Sequence, residues 1–131
     1  MPLVRIALRA GKSESYRRAV ADAVHRALVE TIDVPAKDRF QIVTEHDAVG
    51  LLYDPSYLDI PRTDGVLLIQ IALSAGRTVE MKKALFARMA ALLAESPGVR
   101  REDVFVSLIE VAKENWSFGN GIAQYAAASG P

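Results

Sequence analysis

Apolar residues along the chain follow two alternating patterns. Two apolar-rich runs, LVRIAL from Leu3 and LLIQIAL from Leu67, are each followed by Ala-Gly, as is typical of buried parallel strands. After each run, apolar residues recur every three or four positions, which predicts a helix with one buried face. The residues on these two faces are Ala19, Val20, Ala23, Val24, Ala27 and Leu28, and then Ala84, Leu85, Met89, Leu92 and Leu93.

Local signals predict where these elements begin and end. Ser13 and Thr78 stand where the N-caps of the two helices belong. The first helix should stop near Asp33-Val34-Pro35 and the second at Ser96-Pro97-Gly98. The runs RFQIV and DVFVSLIEV that follow are predicted to be the returning strands. Each half of the chain is therefore predicted to fold as strand, helix, strand.

The two halves are an internal repeat. With a shift of 65 residues, segment 2–45 aligns without gaps on segment 67–110, and 13 of the 44 positions are identical. Chance would give about three or four identities at ordinary composition. The paired positions include Asp38 with Asp103, whereas Pro2 is paired with Leu67 and Lys12 with Arg77.

The repeat predicts a single domain over residues 1–131 with an α/β fold of the two-layer α+β type. Two right-handed βαβ units would form a four-stranded sheet with both helices on one face. Residues 46–65 would form the linker, and residues 115–125, NWSFGNGIAQY, read as a short C-terminal hairpin. A linker of this length in a compact domain is usually functional or disordered, and its aromatic and aliphatic content argues against disorder.

Composition narrows the classes of function. Lys plus Arg and Asp plus Glu both number 16 and there is no cysteine, which favours neither a nucleic-acid nor an anionic membrane partner and excludes thiolate metal sites. The two histidines are far apart in sequence, so we expect no metal and no cofactor. No signal-peptide pattern or membrane-spanning run is present, and we therefore expect a cytoplasmic protein.

The N-terminal Met1-Pro2 raises a chemical possibility. Proline is tolerated at the start of a strand, so Pro2 has an ordinary structural explanation. If Met1 is removed, however, Pro2 becomes a free amine, and α-amines titrate at about 7.7–8.0. If the two first strands pair antiparallel at the centre of the sheet, Pro2 should lie beside the turn that carries Arg77. A ferredoxin-like arrangement of the same element order would break this prediction.

An amine at Pro2 together with Arg77 could act on an organic acid. Arg77 and burial would lower the pKa of the amine and favour a base, whereas Asp38, if it is close, would raise it. Arg77 could also hold a substrate carboxylate with its forked donors. The mirrored site pairs Lys12 with Leu67, offers no amine and should be inactive. Arg77 could instead be a solvated helix residue, and Asp38 could be a structural cap like its mate Asp103.

The pattern of Met-Pro, strand, Ala-Gly-Lys/Arg-Ser/Thr, helix and strand resembles the tautomerase superfamily. The chain is similar to its fused, double-length members related to 4-oxalocrotonate tautomerase, and the segments VPAKDRFQIVTEH, AGRTVEMKK and ENWSFGNG resemble the malonate semialdehyde decarboxylase-like branch. The resemblance implies Pro2, Arg77 and Asp38 as catalytic residues. Arg77 would also bind the substrate, and Trp116 and Phe118 could line the substrate pocket as an apolar wall or simply close the core or a subunit contact. It also implies a homotrimer acting on a small-molecule carboxylate.

Three functions are compatible with these residues. The first is keto–enol tautomerisation of an enol or 2-oxo acid, an isomerase reaction. The second is a lyase reaction, decarboxylation or hydration of a 3-oxo acid such as malonate semialdehyde. Decarboxylation is disfavoured because Ala75 stands where the decarboxylase has a second arginine. Residues 104–108 of the last strand offer no acidic residue of the kind that dehalogenase members use to activate water. The third is a non-enzymatic, ferredoxin-like binding subunit.

Overall fold

The structure is a computed structural model that describes residues 1–126. Its strands and helices are β1 (Leu3–Arg9), α1 (Glu14–Ile32), β2 (Gln41–His46), β3 (Leu67–Ser74), α2 (Val79–Glu95) and β4 (Val104–Val111). Single-turn 3-10 helices cover Tyr57–Asp59, Arg101–Asp103 and Lys113–Asn115. Neither helix in this described part of the chain combines the length and apolar character that a membrane crossing requires.

The sheet has the order β2-β1-β3-β4. Each half contributes a parallel pair, β1 with β2 and β3 with β4, and the halves join through the antiparallel pair of β1 with β3. The predicted α+β fold of two βαβ units is thus confirmed, and a ferredoxin-like arrangement is excluded. In the central pair Leu3 lies opposite Ala72, so the start of β1 reaches the turn that follows β3.

Both helices begin at the predicted caps. The Ser13 hydroxyl accepts a hydrogen bond from the Tyr16 backbone N–H at 3.1 Å, and the Thr78 hydroxyl accepts one from Met81 at 3.2 Å. Each cap satisfies one of the donors that a helix N-terminus leaves open. Helix α1 ends at Ile32, and the residue after it, Asp33, is the C-cap. Asp33 adopts φ 58° in the left-handed region and so does not continue the helix.

One face of the sheet is buried under the two helices. Alternate residues of the central strands, such as Ile6 and Ile69, are about fully buried against apolar positions of α1 and α2 such as Val24 and Met89. The other face stays open. It exposes the large apolar side chains Phe40, Ile42, Phe105 and Ile109.

The C-terminal segment differs from the prediction. Where a hairpin was expected over residues 115–125, the described residues form the 3-10 turn Lys113–Asn115 and two further turns, with no strand. Gly119, Asn120 and Gly121 all have positive φ, which the turn of a hairpin would accommodate, but among residues 1–126 the stretches on either side of this turn form no strand pair. The Gln124 side chain bonds the Phe118 N–H at 2.9 Å and the Gly119 carbonyl at 3.0 Å, and thereby replaces the missing strand partner.

Candidate active site

A cavity of about 410 Å³ lies where the start of β1 meets the end of β3. Its position follows from the central antiparallel pair, which brings the N-terminus of the chain to the turn after β3. The cavity is lined by Met1, Ser74, Ala75, Gly76, Arg77, Met81, Lys113 and Tyr125. The sequence prediction that Arg77 shares a site with the chain's N-terminus is consistent with this geometry.

The α-amino group of Met1 faces a buried carboxylate. Its nitrogen lies 3.7 Å from Oδ2 of Asp38, whose side chain is only 4% exposed. Among residues 1–126, neither carboxylate oxygen of Asp38 accepts a hydrogen bond. A buried carboxylate without such partners is costly, so its pairing with a terminal amine indicates a functional position. Pro2, which follows Met1, is itself buried.

The amine and Asp38 perturb each other. Burial lowers the pKa of the Met1 α-amino group; the negative charge of Asp38 opposes this shift, and the positive charge of Arg77 reinforces it. Burial raises the pKa of the Asp38 carboxyl, against the opposing charges of the amine and of His25. Desolvation dominates in both groups and favours their neutral forms. The two shifts bring the pKa values of the amine and of the carboxyl closer together.

Two basic side chains, Arg77 and Lys113, line the cavity. Arg77 lies in the turn between β3 and the N-cap of α2, and its Nη1 donates to the Ser74 carbonyl at 2.9 Å. Within residues 1–126 it forms no salt bridge with a carboxylate, and its side chain is half-buried. Its remaining donors are therefore available to a ligand carboxylate.

The aromatic residues predicted to bind substrate lie behind the cavity rather than on its surface. Trp116 stacks on Phe118 with ring centroids 5.5 Å apart, and Phe118 meets the edge of Tyr125 at 4.9 Å. Tyr125 is the member of this stack that lines the cavity. Burial and the negative charge of Asp38 raise the pKa of the Tyr125 hydroxyl, and the positive charge of Arg77 lowers it.

Sequence reasoning had missed two features of this site. Tyr125 was predicted only as part of a hairpin, and Ser74 was not singled out. His25 is a partly exposed residue of α1. Its Nε2 donates to the Ala36 carbonyl at 2.8 Å and thus ties α1 to the loop that carries Asp38. In the repeat Ser74 is paired with Arg9. This difference between the halves is the sequence signal that could have drawn attention to Ser74.

The equivalent aspartate of the second repeat has a different environment. Asp103 is buried, and its carboxylate accepts hydrogen bonds from the Thr63 N–H at 2.7 Å and the Thr63 hydroxyl at 2.6 Å. Arg100 lies 3.5 Å from it. The linker therefore occupies the place that the chain terminus has in the first repeat. Leu67, the counterpart of Pro2, is a buried residue within the continuous chain.

Comparisons with known proteins agree with this architecture. Two family models described as "Tautomerase enzyme" match the chain, one over residues 38–119 and the other over residues 2–58. A curated relative, "Probable tautomerase YusQ" of Bacillus subtilis (strain 168), is 42% identical over 124 residues, which cover 95% of this chain and 98% of the relative. The chain belongs to the tautomerase family.

Solved structures of other members share the fold of this tautomerase. A structure of FG41 malonate semialdehyde decarboxylase inhibited by 3-bromopropiolate superimposes with a TM-score of 0.89 at 46% identity, covering 94% of this chain and 93% of that one. A second malonate semialdehyde decarboxylase, at 30% identity, also has a TM-score of 0.89 and covers 94% of this chain and 95% of that one. A fused 4-OT, a symmetric trimer, has a TM-score of 0.77 at 26% identity, covering 95% and 98%.

Proposed function

We propose that this tautomerase acts after loss of Met1, with the Pro2 amine moving a proton between oxygen and carbon of an enol or 2-oxo acid. The observation that carries the proposal is the position of the chain's N-terminus: buried Pro2 directly precedes β1 beside the cavity that holds Arg77, and the Met1 amine before it lies 3.7 Å from Asp38. Removal of Met1 transfers the free amine to Pro2. That residue is buried, so the same desolvation acts on its nitrogen.

The proposed chemistry needs one base and one carboxylate clamp. The neutral amine takes the proton from the enol oxygen and returns it to the neighbouring carbon, so no co-reactant is required. A base that titrates close to the working pH performs this transfer best. Burial lowers the pKa of the Met1 amine, and we expect a shift in the same direction for the amine of buried Pro2. Arg77 holds the substrate carboxylate through two parallel N–H···O bonds. No net charge is created, because the proton remains within the site.

Asp38 has a positioning and electrostatic role in this proposal. Its carboxylate stabilises the ammonium that forms when the amine takes up the proton. Since its oxygens accept no hydrogen bond elsewhere in residues 1–126, they are free to orient the amine. Trp116 and Phe118 contribute to substrate binding through Tyr125, whose ring they support at the wall of the cavity.

A second candidate is decarboxylation or hydration of a 3-oxo acid such as malonate semialdehyde. The 46% identity with a malonate semialdehyde decarboxylase favours it. Ala75, which lines the cavity beside Arg77, is the position at which a second cation would be expected, and its absence weakens the case. The two candidates require opposite protonation states of Pro2, a base for tautomerisation and an acid for the lyase reaction. Their pH–rate profiles should therefore lose activity on opposite sides.

We also propose that the chain works as a homotrimer. The open face of the sheet exposes Phe40, Ile42, Phe105 and Ile109, an apolar surface of the kind that subunit interfaces cover. The fused 4-OT relative is a symmetric trimer. Light scattering coupled to size-exclusion chromatography should give three times the chain mass, and a monomer at micromolar concentration would refute this part.

The proposed function is tested by replacing the amine while intact mass is monitored. Pro2→Ala exchanges the cyclic amine for a primary one, and turnover of an aryl-enolpyruvate, followed by ultraviolet absorbance, should fall by about 10²–10⁴-fold. Pro55→Ala, in the exposed linker, is the matched control and should retain wild-type turnover. Mass spectrometry must show that Met1 is absent from the active protein. Full activity in a chain that keeps Met1, or in Pro2→Ala, would overturn the proposal.

A further inference from the structure

Ser74 stands at the junction of the cation and the aromatic wall. It is the last residue of β3 and is 5% exposed. Its carbonyl accepts from Arg77 Nη1 at 2.9 Å, and its hydroxyl accepts from the indole N–H of Trp116 at 3.1 Å. We propose that Ser74 is a positioning residue that fixes Tyr125, through Trp116, at the distance from Arg77 that the substrate requires. This inference rests on the proposed function.

Ser74 itself lines the cavity, and a continuous series of contacts links its hydroxyl to Tyr125 on the cavity wall. The indole of Trp116 stacks on Phe118, and Phe118 packs against the edge of Tyr125. Gln124 closes the loop between these rings by bonding the backbone of Phe118 on one side and of Gly119 on the other. The segment has no strand pairing in the described chain. Among residues 1–126, the hydrogen bond from the Trp116 indole to the Ser74 hydroxyl ties this segment to the sheet.

The repeat shows that the β-strand itself does not need a serine here. The equivalent residue of the first repeat is Arg9, whose side chain leaves the strand and donates to the Leu51 carbonyl at 3.1 Å and to Asp64 at 3.4 Å. Both halves form a complete strand with these different residues. The hydroxyl of Ser74 is therefore explained by what it binds, the indole of Trp116, and not by strand geometry.

Ser74→Ala separates the two roles of the residue. It keeps the backbone carbonyl that holds Arg77 and removes the hydroxyl, so that the half-buried indole N–H loses its partner. The loss of one neutral hydrogen bond corresponds to about a 2- to 13-fold change in an equilibrium constant. We expect KM for the aryl-enolpyruvate to rise about five- to tenfold while kcat changes less than twofold, because the amine, Asp38 and Arg77 remain in place.

Trp116 is the only tryptophan of the chain and reports on its own hydrogen bond. In Ser74→Ala its emission should move to longer wavelength and its quenching by acrylamide should increase about twofold. Ser74→Thr, which retains a hydroxyl, should restore both emission and KM. Ser96→Ala removes an exposed hydroxyl at the end of α2 and should match the wild type. Circular dichroism melting curves establish that each variant is folded.

A double-mutant cycle tests the route through the indole. Trp116→Phe should raise KM about as much as Ser74→Ala, and the double variant should be no worse than Trp116→Phe alone. Effects of the two substitutions on KM that multiply in the double variant, or unchanged Trp116 emission in Ser74→Ala, would overturn the inference.

Binding of pyruvate, titrated by Trp116 quenching, gives a readout that needs no turnover. A wild-type chain that binds pyruvate but turns over no enol would refute the proposed function alone, and equal pyruvate affinity in wild type and Ser74→Ala would refute the role of Ser74.

Discussion

The two equivalent aspartates should differ in how much their substitution by alanine changes the free energy of unfolding. Asp103→Ala removes two short hydrogen bonds from Thr63 and an ion pair with Arg100. Hydrogen bonds to a charged group are worth about 1.5–3 kcal/mol each, and the half-exposed arginine adds under about 1 kcal/mol. Asp103→Ala should therefore lower the free energy of unfolding by about 3–7 kcal/mol. This is a large part of the roughly 5–15 kcal/mol that holds a domain folded.

Asp38→Ala removes no hydrogen bond within residues 1–126. The substitution removes the attraction between Asp38 and the terminal amine, but it also removes the cost of burying a carboxylate. Because the two effects nearly cancel, the free energy of unfolding should change by less than about 1 kcal/mol. Urea unfolding at pH 7, at one chain concentration, measures both variants. With a slope of about 1–3 kcal/mol per molar, Asp103→Ala should shift the midpoint by at least about 1 M. Thr63→Ala, which removes one of the two bonds, should fall in between. Equal destabilisation by Asp38→Ala and Asp103→Ala would refute the distinction between the two sites.

Three further predictions follow from the same structure. Because burial raises the pKa of Asp38 above its usual 3.8, the folded chain holds that proton to higher pH than the unfolded chain, so stability should fall as pH rises from about 3.8 through the raised value. Asp38→Asn should remove this slope, and an unchanged pH profile of thermal unfolding would contradict the shift. Arg77→Lys keeps the positive charge but loses the forked donors of the guanidinium, so KM for the enol acid should rise about 10- to 100-fold in steady-state assays. An unchanged KM would mean that the substrate carboxylate binds elsewhere. Ile69→Ala, in the fully buried centre of β3, should cost about 2–5 kcal/mol in urea unfolding, and a cost below about 1 kcal/mol would contradict the core as described.

The sheet could be predicted from the sequence because the repeat constrains it twice. Each half carries the same order of apolar runs and helix caps, and the Ser13 and Thr78 hydroxyls do cap α1 and α2. The position of Arg77 beside the chain terminus then required only that the first strands of the halves pair antiparallel, as they do.

The wall of the cavity could not be predicted in the same way. The segment after β4 has no counterpart in the first half, so no repeat constrains it, and its glycines suit a hairpin as well as the turns that form. Its conformation depends on the Gln124 side chain and on contacts between aromatic rings, which are long-range packing interactions. Likewise, nothing in the sequence tells that Thr63 of the linker binds Asp103 while Asp38 is left to the terminus.

The pairing of β1 with β3 has a consequence for how the site can change. A strand advances about 3.3 Å per residue, and a slip of one residue would turn the buried side chains of β1 to the open face. The position of the first residues relative to the end of β3, where the turn that carries Arg77 begins, is thus fixed by core packing along the whole central pair, with Leu3 held opposite Ala72. The linker between the two halves does not set that position. Trimming one residue from the N-terminus moves the amine by a single strand step and leaves the register untouched, which makes chain length a fine adjustment of the site.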